Sequence, residues 1–490
     1  MKKIAVILML AWTLTSCTGF LDIRTEATMP TTGTDYTKAE LIFQSVSAAY
    51  ASLRLSEGEA FSYVSVLEVP SDDADKGSTA TDGPLVAELD AFSFGPTNSL
   101  INDVWIKFFN IVSAANHAIS EMASFREALP DDADKAYTDQ CAAEARLIRA
   151  YAYFNLLRLF GSVPIVDRPM SAAELASLPS ESEQRLYDFI YEDLDAGIRL
   201  LPESYKKAWK GRFTCYTARA LKAKLALYRQ DWEEAARQAD AIIGSQRFSL
   251  LSHFRDVFSM EYENSVESLM EIQASSLGQS TGDAPVCYYA FIQGPRDNRP
   301  SNLQGWGFKV PSQSLVNFLQ GRGDQIRMAA TLLARGSVTP EGDEILASCP
   351  NPYYNGKVYT PSAYNLWSYN GYGFDYNMRI LRYAEILLIY AEARAQGALA
   401  GKADPQACFD LVRDRAGLPS VPATLENIYE ERRAELALEE NRFFDLVRTG
   451  KAAAVLGAKG YRKGRNEHFP VPAAQLQLNP ALSPSPGYVY

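Results

Sequence analysis

Acids and arginines crowd the last quarter of the chain. Glu385, Glu392, Glu431, Glu435, Glu439 and Asp445 alternate with Arg432, Arg433 and Arg442. Paired carboxylates are the equipment of acid–base and glycosidic chemistry. Here, though, the acids sit among apolar residues at helical spacing, with arginines a turn away. That pattern reads as buried and half-buried ion pairs that fix helix register. Other catalytic signatures are missing. His117, His253 and His468 are the only histidines, so an HExxH zinc site is impossible. There is no GxSxG, Walker A or GxGxxG motif. A glycosidase needs two facing carboxylates, and a sequence does not show which acids face each other.

Two further groups suggest binding. Asp72-Asp73-Ala74-Asp75 offers several oxygens, which a hard cation such as Ca²⁺ wants, but without the EF-hand spacing. A solvated acidic turn is the favoured reading, and no cofactor or metal is expected. A third use is sugar, because carboxylates accept hydrogen bonds from vicinal hydroxyls. The second group is aromatic. A neutral sugar has an apolar C–H face and polar edges, so its site needs an aromatic platform rimmed by polar groups. Tyr288, Tyr289, Phe291, Trp306 and Phe308 form one cluster, with Arg296, Asn298, Arg299 and Asn302 close by. Tyr353, Tyr354, Tyr359, Tyr364, Trp367, Tyr369 and Tyr372 form another. Large aromatics are usually buried, so most single members belong to a core. The candidate ligand residues are Asp72, Asp73, Tyr288, Tyr289, Arg296, Asn302, Trp306, Tyr364, Trp367 and Tyr369.

The elements that must position them are mostly helices. From Cys141 to Phe160 apolar side chains fall at every angle of the helical wheel, so this helix is buried on most sides. Glu144, Arg146, Arg149 and Arg158 lie on it and need partners. Gly161 and Pro164 end it. Other helices are expected at 37–55, 101–128 and 183–201, with 56–100 mostly loop. Residues 214–246 read as a helix pair, where Ala220, Ala223, Ala226, Ala235 and Ala239 permit close approach. From 247 to 377 helical periodicity fades, apart from a short helix at 311–319. A stretch of that length must carry its own structure or pack on the scaffold. Helical order returns from Met378.

Composition is that of a globular chain of 490 residues, 47% hydrophobic and 22% charged. The net charge of −11 argues against sequence-independent nucleic-acid binding. Cys141, Cys215 and Cys408 sit in apolar helical patterns and read as reduced core thiols. The sequence leaves a Cys287–Cys349 bridge open. At the start, Lys2 and Lys3 precede an apolar run from Ile4 to Leu14, too short to cross a bilayer but suited to a secretory signal. Leu14-Thr15-Ser16-Cys17 resembles a bacterial lipobox, which implies acylation at Cys17 and stable anchoring.

These segments together resemble the SusD/RagB family. The motifs are RAYAYFNLLRLFGSVPIV around Arg149, RYAEILLIYAEA from Arg382, LVRDRAGLP from Leu411, ERRAELALEENRFFDLVRTG from Glu431, and FLD after Cys17. Glu440-Asn441 and Phe443 depart from the family's usual Gly-His and Trp. The resemblance implies a mainly α fold: a tetratricopeptide-like helical-repeat scaffold with a large loop-rich subdomain. It implies an outer-membrane surface lipoprotein that captures an oligosaccharide and delivers it to a SusC-like TonB-dependent transporter. Bond breaking is not implied. The expected division is 1–16 signal peptide, 17–36 anchor and leader, 37–246 N-terminal repeats, 247–377 ligand side, and 378–490 C-terminal helices and wrap. The alternatives are a RagB-like oligopeptide binder in the same transport role, a surface glycoside hydrolase, and a scaffold that only joins proteins.

Overall fold

The computed structural model describes residues 33–275, 288–299, 303–364 and 375–490. Helix Asp132–Phe160 runs through the centre of the molecule. Asp131 starts it, accepting hydrogen bonds from the Ala133 and Asp134 N–H groups. Ala143, Ala145, Leu147, Ile148, Ala150, Ala152 and Tyr153 are fully buried around its circumference. Gly161 stops it at a positive φ of 68°, where the His468 ring leaves no space for a Cβ. Helix Ser99–Ala128 packs on one side of it and helix Glu183–Leu200 on another. Packing then passes in sequence to helices Cys215–Arg229, Trp232–Gly244 and Tyr383–Ala395. Helices Pro405–Arg415 and Leu425–Leu436 close on the last of these. Ala220, Ala223, Ala226, Ala235, Ala236 and Ala239 are wholly buried, so the middle pair approaches closely. The result is a mainly α, repeat-like scaffold with one dominant core. Among the described residues no helix is long and apolar enough to cross a membrane.

Buried ions stitch this scaffold together. On the central helix Glu144 pairs with Arg212 and accepts from the Tyr50 and Tyr205 hydroxyls. Arg149 grips Asp193 through Nε and Nη2, both at 2.8 Å. In the C-terminal helices the lattice is denser. Arg382 reaches Glu267 at 3.2 Å and Glu439 at 2.7 Å, and also bonds Glu435. Arg415 joins the same Glu267 and Glu435. Glu431 is shared by Arg322 and Arg413, each at 2.6 Å, and by Arg327. Burial alone would raise the Glu435 carboxyl. Arg415, Arg382 and Arg327 outweigh it and hold that carboxyl well below the usual range. The acid-rich helices are therefore structural, but the partners of Glu431 and Glu435 come from other elements and not from the arginines a turn away.

The loop-rich flank is built from three two-stranded antiparallel sheets. Strand β1 (Ala74–Gly77), β2 (Ser268–Ile272), β3 (Phe308–Pro311), β4 (Leu332–Ala334), β5 (Tyr353–Asn355) and β6 (Met378–Arg382) pair as β1–β3, β2–β6 and β4–β5. In the first, Asp75 faces Val310 and Gly77 faces Phe308. Short helices Tyr289–Gln293, Gln313–Gly321 and Gln325–Thr331 fill between them.

Two expectations need correction. Residues 56–100 are not mostly loop: they hold helices Glu57–Leu67 and Pro84–Asp90. A capping box starts the first, with Ser56 and Glu59 satisfying each other's backbone N–H groups. The first helix is also shorter than expected. It spans Ile42–Ser52, because Asp35 accepts from the Thr37 N–H and hydroxyl and holds that stretch in a turn. Cys141, Cys215, Cys349 and Cys408 are free and buried. The Cys349 thiol donates to Asn298 Oδ1 at 3.3 Å, while Cys287 lies outside the described residues.

Candidate functional site

Glycines shape the flank where β1 meets β3. Gly77 has φ +74°, and a Cβ there would lie 2.3 Å from the Gly307 carbonyl oxygen. With only hydrogen in the way, Ser78 N–H reaches that same oxygen at 2.5 Å. A Cβ on Gly305 would meet the Phe291 carbonyl at 2.4 Å. Its absence lets Trp306 N–H donate to that carbonyl at 3.1 Å. The chain is thus pressed onto helix Tyr289–Gln293, and the Trp306 ring stands between Phe61 (5.8 Å) and Phe291 (5.9 Å), edge to face. Phe61 comes from helix Glu57–Leu67 and also meets Phe308 at 4.9 Å. Trp306, Phe61 and Tyr288 are only partly buried, each against the main core. Tyr288 stands at the start of helix Tyr289–Gln293, and Trp306 and Phe61 form an aromatic pair with a wet side.

Polar groups rim it. Arg296 Nη2 lies 3.1 Å from Asp82 Oδ2, and both side chains are about one-third exposed (32% and 30%). The Arg296 Cβ is beside Gly307, one residue from Trp306. Ser78 Oγ donates to Asp82 Oδ2 at 2.7 Å, which with Arg296 holds the Asp82 carboxyl below its ordinary value. Lys76 Nζ donates to the Thr79 and Asp82 carbonyls and fastens the loop after β1. Beyond it lies an open groove of about 420 Å³, lined by Asp75–Ala80, Asp90, Gln313 and Asn351–Tyr353 among others. Asn351 Nδ2 donates to the Ser78 carbonyl across it. Two acids of the groove, Asp75 and Asp90, both face Lys459 Nζ, at 3.6 and 2.5 Å. Neither stands free as one half of an acid–base pair. The arrangement suits a neutral, hydroxyl-rich molecule laid on the rings and hydrogen-bonded at the rim.

Comparison with known proteins bears on what this arrangement serves. The SusD family model matches residues 338–488, and a second model, described as starch-binding associating with outer membrane, matches 20–227. SusD-like protein P2 of Formosa agariphila is 28% identical over 90% of this chain and 91% of its own. The chain belongs to the SusD family. A solved laminarin-binding SusD-like protein superposes with a TM-score of 0.80 at 27% identity, covering 92% of this chain and all of its own. Surface glycan-binding protein A from Bacteroides fluxus gives 0.79 at 26%, with the same coverage.

In this SusD-family chain the candidate residues separate. Trp306 and Arg296 come together through Gly307, and Tyr288 is half-buried at the start of the helix that carries Phe291. Tyr364 is 54% exposed, after β5. Asp72 and Asp73 do not join Trp306 and Arg296. Arg442 Nε holds Asp72 at 2.6 Å, and Arg433 Nε holds Asp73 at 2.7 Å. Asp73 is wholly buried, so the acidic turn clamps the flank to the C-terminal helices and offers neither sugar nor Ca²⁺ a free carboxylate pair. Tyr289 is also internal: its hydroxyl donates to Glu440 Oε1 at 2.7 Å, beside Lys309. Phe291, Phe308 and Tyr354 are core. Asn302, Trp367, Tyr369 and the acylation candidate Cys17 lie outside the described residues. Phe61, Asp82 and Asn351 were not among the sequence candidates. For Phe61 the available signal was the Ser56–Glu59 capping box, which makes its segment a helix with an outward face.

Proposed function

We propose that this protein is a cell-surface glycan-binding lipoprotein. It captures an oligosaccharide and passes it to a SusC-like TonB-dependent transporter in the outer membrane, without breaking bonds. The observation that carries the reading is the half-buried Trp306–Phe61 pair beside the Asp82–Arg296 pair. Flat rings next to fixed donors and acceptors match a pyranose face and its edge hydroxyls. Family membership and the laminarin-binding relative support a glucan as ligand, and the second family model's description supports outer-membrane association. The ionic engagement of the helix-borne acids, and of Asp75 and Asp90, supports binding over hydrolysis.

The test is calorimetric titration with laminarin- and starch-derived oligosaccharides and with a peptide mixture, followed by analysis of the recovered sugar. The expected result is saturable binding of at least one oligosaccharide that is recovered intact. Binding of peptides alone, or new reducing ends, would overturn the reading.

A further inference from the structure

Arg158, half-buried on the last turn of helix Asp132–Phe160, differs from the cations around it. Around it, Lys224 pairs with Glu385 at 3.1 Å, Arg432 with Asp445 at 3.1 Å, and Arg448 with Glu392 at 2.9 Å. Arg158 has no such partner: among the described residues no carboxylate lies within ion-pair distance of it. Its guanidinium touches neutral acceptors only. Nε and Nη2 donate to Asn155 Oδ1 at 3.0 and 2.7 Å, and Nη1 donates to the Glu440 carbonyl at 3.1 Å. Of the five N–H donors of an arginine, two remain unused. The group lies over the Phe444 ring at 4.1 Å and the Phe154 ring at 5.2 Å, so much of its hydration is lost.

A cavity of about 140 Å³ opens beside it, lined by Arg158, Phe154, Phe444, Tyr228 and His468 among others. The Tyr228 hydroxyl is buried there and has no hydrogen-bond partner. Burial pushes that hydroxyl up to about 12, so it remains a donor at neutral pH. Two acids, Glu183 and Glu467, also line the cavity, and Glu183 Oε1 lies on its Gly161–His468 side. Both Glu467 carboxylate oxygens accept from Gly464 N–H, at 2.7 and 2.9 Å, and Glu183 and Glu467 act on the His468 ring. Unused donors of one sign, beside a cation that no carboxylate touches, suit an acceptor that carries negative charge.

We infer that this cavity binds a small free oxyanion, of the size of formate or phosphate, on Arg158 and Tyr228. The site is separate from the Trp306–Phe61 pair and joins the central helix to helix Arg442–Arg448 and the C-terminal wrap. Its volume falls below that of pockets that take ring-sized ligands, so a sugar acid does not fit.

The experiment titrates the whole mature protein with sodium formate, sodium phosphate and sodium glucuronate at constant ionic strength, followed by calorimetry. Wild type is expected to bind formate or phosphate saturably at one site. Arg158→Gln should weaken that binding roughly tenfold or more, since hydrogen bonds to charged groups are worth about 1.5 kcal/mol or above. Tyr228→Phe removes a hydroxyl that has no partner, so the fold survives, and it should weaken binding roughly threefold. Oligosaccharide affinity should be the same in all three. No saturable heat with either small ion would overturn the inference. So would Tyr228→Phe binding with wild-type affinity, or glucuronate binding as tightly as formate.

Discussion

Arg382 and Arg296 are the same side chain put to opposite uses. Arg382 is 3% exposed and meets Glu267, Glu435 and Glu439. Arg296 is one-third exposed and meets Asp82 and Asp297 on a wet rim. The first sits where any unpaired charge is costly, so its partners are numerous and fixed. The second sits where water can replace a partner, so a ligand hydroxyl can as well. The C-terminal helices and the rim around Arg296 differ in this way, although the flank's inner residues Lys309, Arg327 and Lys357 are paired and buried like Arg382. One region consumes its polar groups internally, and the other leaves some available.

The largest effect that would sharpen this contrast is expected in the lattice. Glu435→Gln removes the charge shared by Arg327, Arg382 and Arg415 and should cost about 3–5 kcal/mol of stability. Urea unfolding checks it, and oligosaccharide affinity of the folded fraction should not move. Next, Trp306→Ala should weaken oligosaccharide binding by about 2 kcal/mol, roughly thirtyfold, with a smaller loss of stability. Arg296→Ala should cost about 1 kcal/mol of binding, roughly fivefold, read by the same titration. If Arg296→Ala instead unfolded the protein as Glu435→Gln does, the contrast would fail.

The smallest effects concern pH. The folded-state carboxyls of Glu435 and Asp445 are held well below their unfolded values, since arginines outweigh the burial penalty. Their stabilisation is fully present above the ordinary carboxylate range. It should be lost as pH falls below about 4. Glu263 has the opposite sign. Burial pushes it up to about 7, against the pull of Arg379. Between about pH 4.5 and 7 the unfolded chain gives up this proton while the folded chain keeps it, so stability declines as pH rises. Glu263→Gln should flatten that part of the curve in unfolding measured at a series of pH values.

Local pattern explains what could be read from the sequence. The all-round apolar wheel of 141–160 and the alanine spacing of 220–239 are each set by neighbours within a few turns, and both appear in the fold as expected. The Arg/Glu interleaving of 431–445 marks buried ion pairs, but not between neighbours on one helix: Glu431 meets Arg322 and Arg413, and Glu435 meets Arg382 and Arg415. The acidic turn shows where such reading stops. Asp72 and Asp73 look like a free loop until Arg433 and Arg442 arrive from more than 350 positions away. Nothing local distinguishes a carboxylate that waits for a ligand from one that waits for a distant arginine. Aromatics pose the same difficulty. Tyr288 and Tyr289 are adjacent, yet one is half-buried and the other bonds Glu440 inside. Only the turn of a short helix separates them.

The division of labour is tested most directly by calorimetric titration of Trp306→Ala and wild type with the oligosaccharide that wild type binds, under conditions where both are folded by circular dichroism. A loss of affinity of roughly thirtyfold, with the sugar recovered whole, is the predicted result. Equal affinities in the two proteins would contradict it.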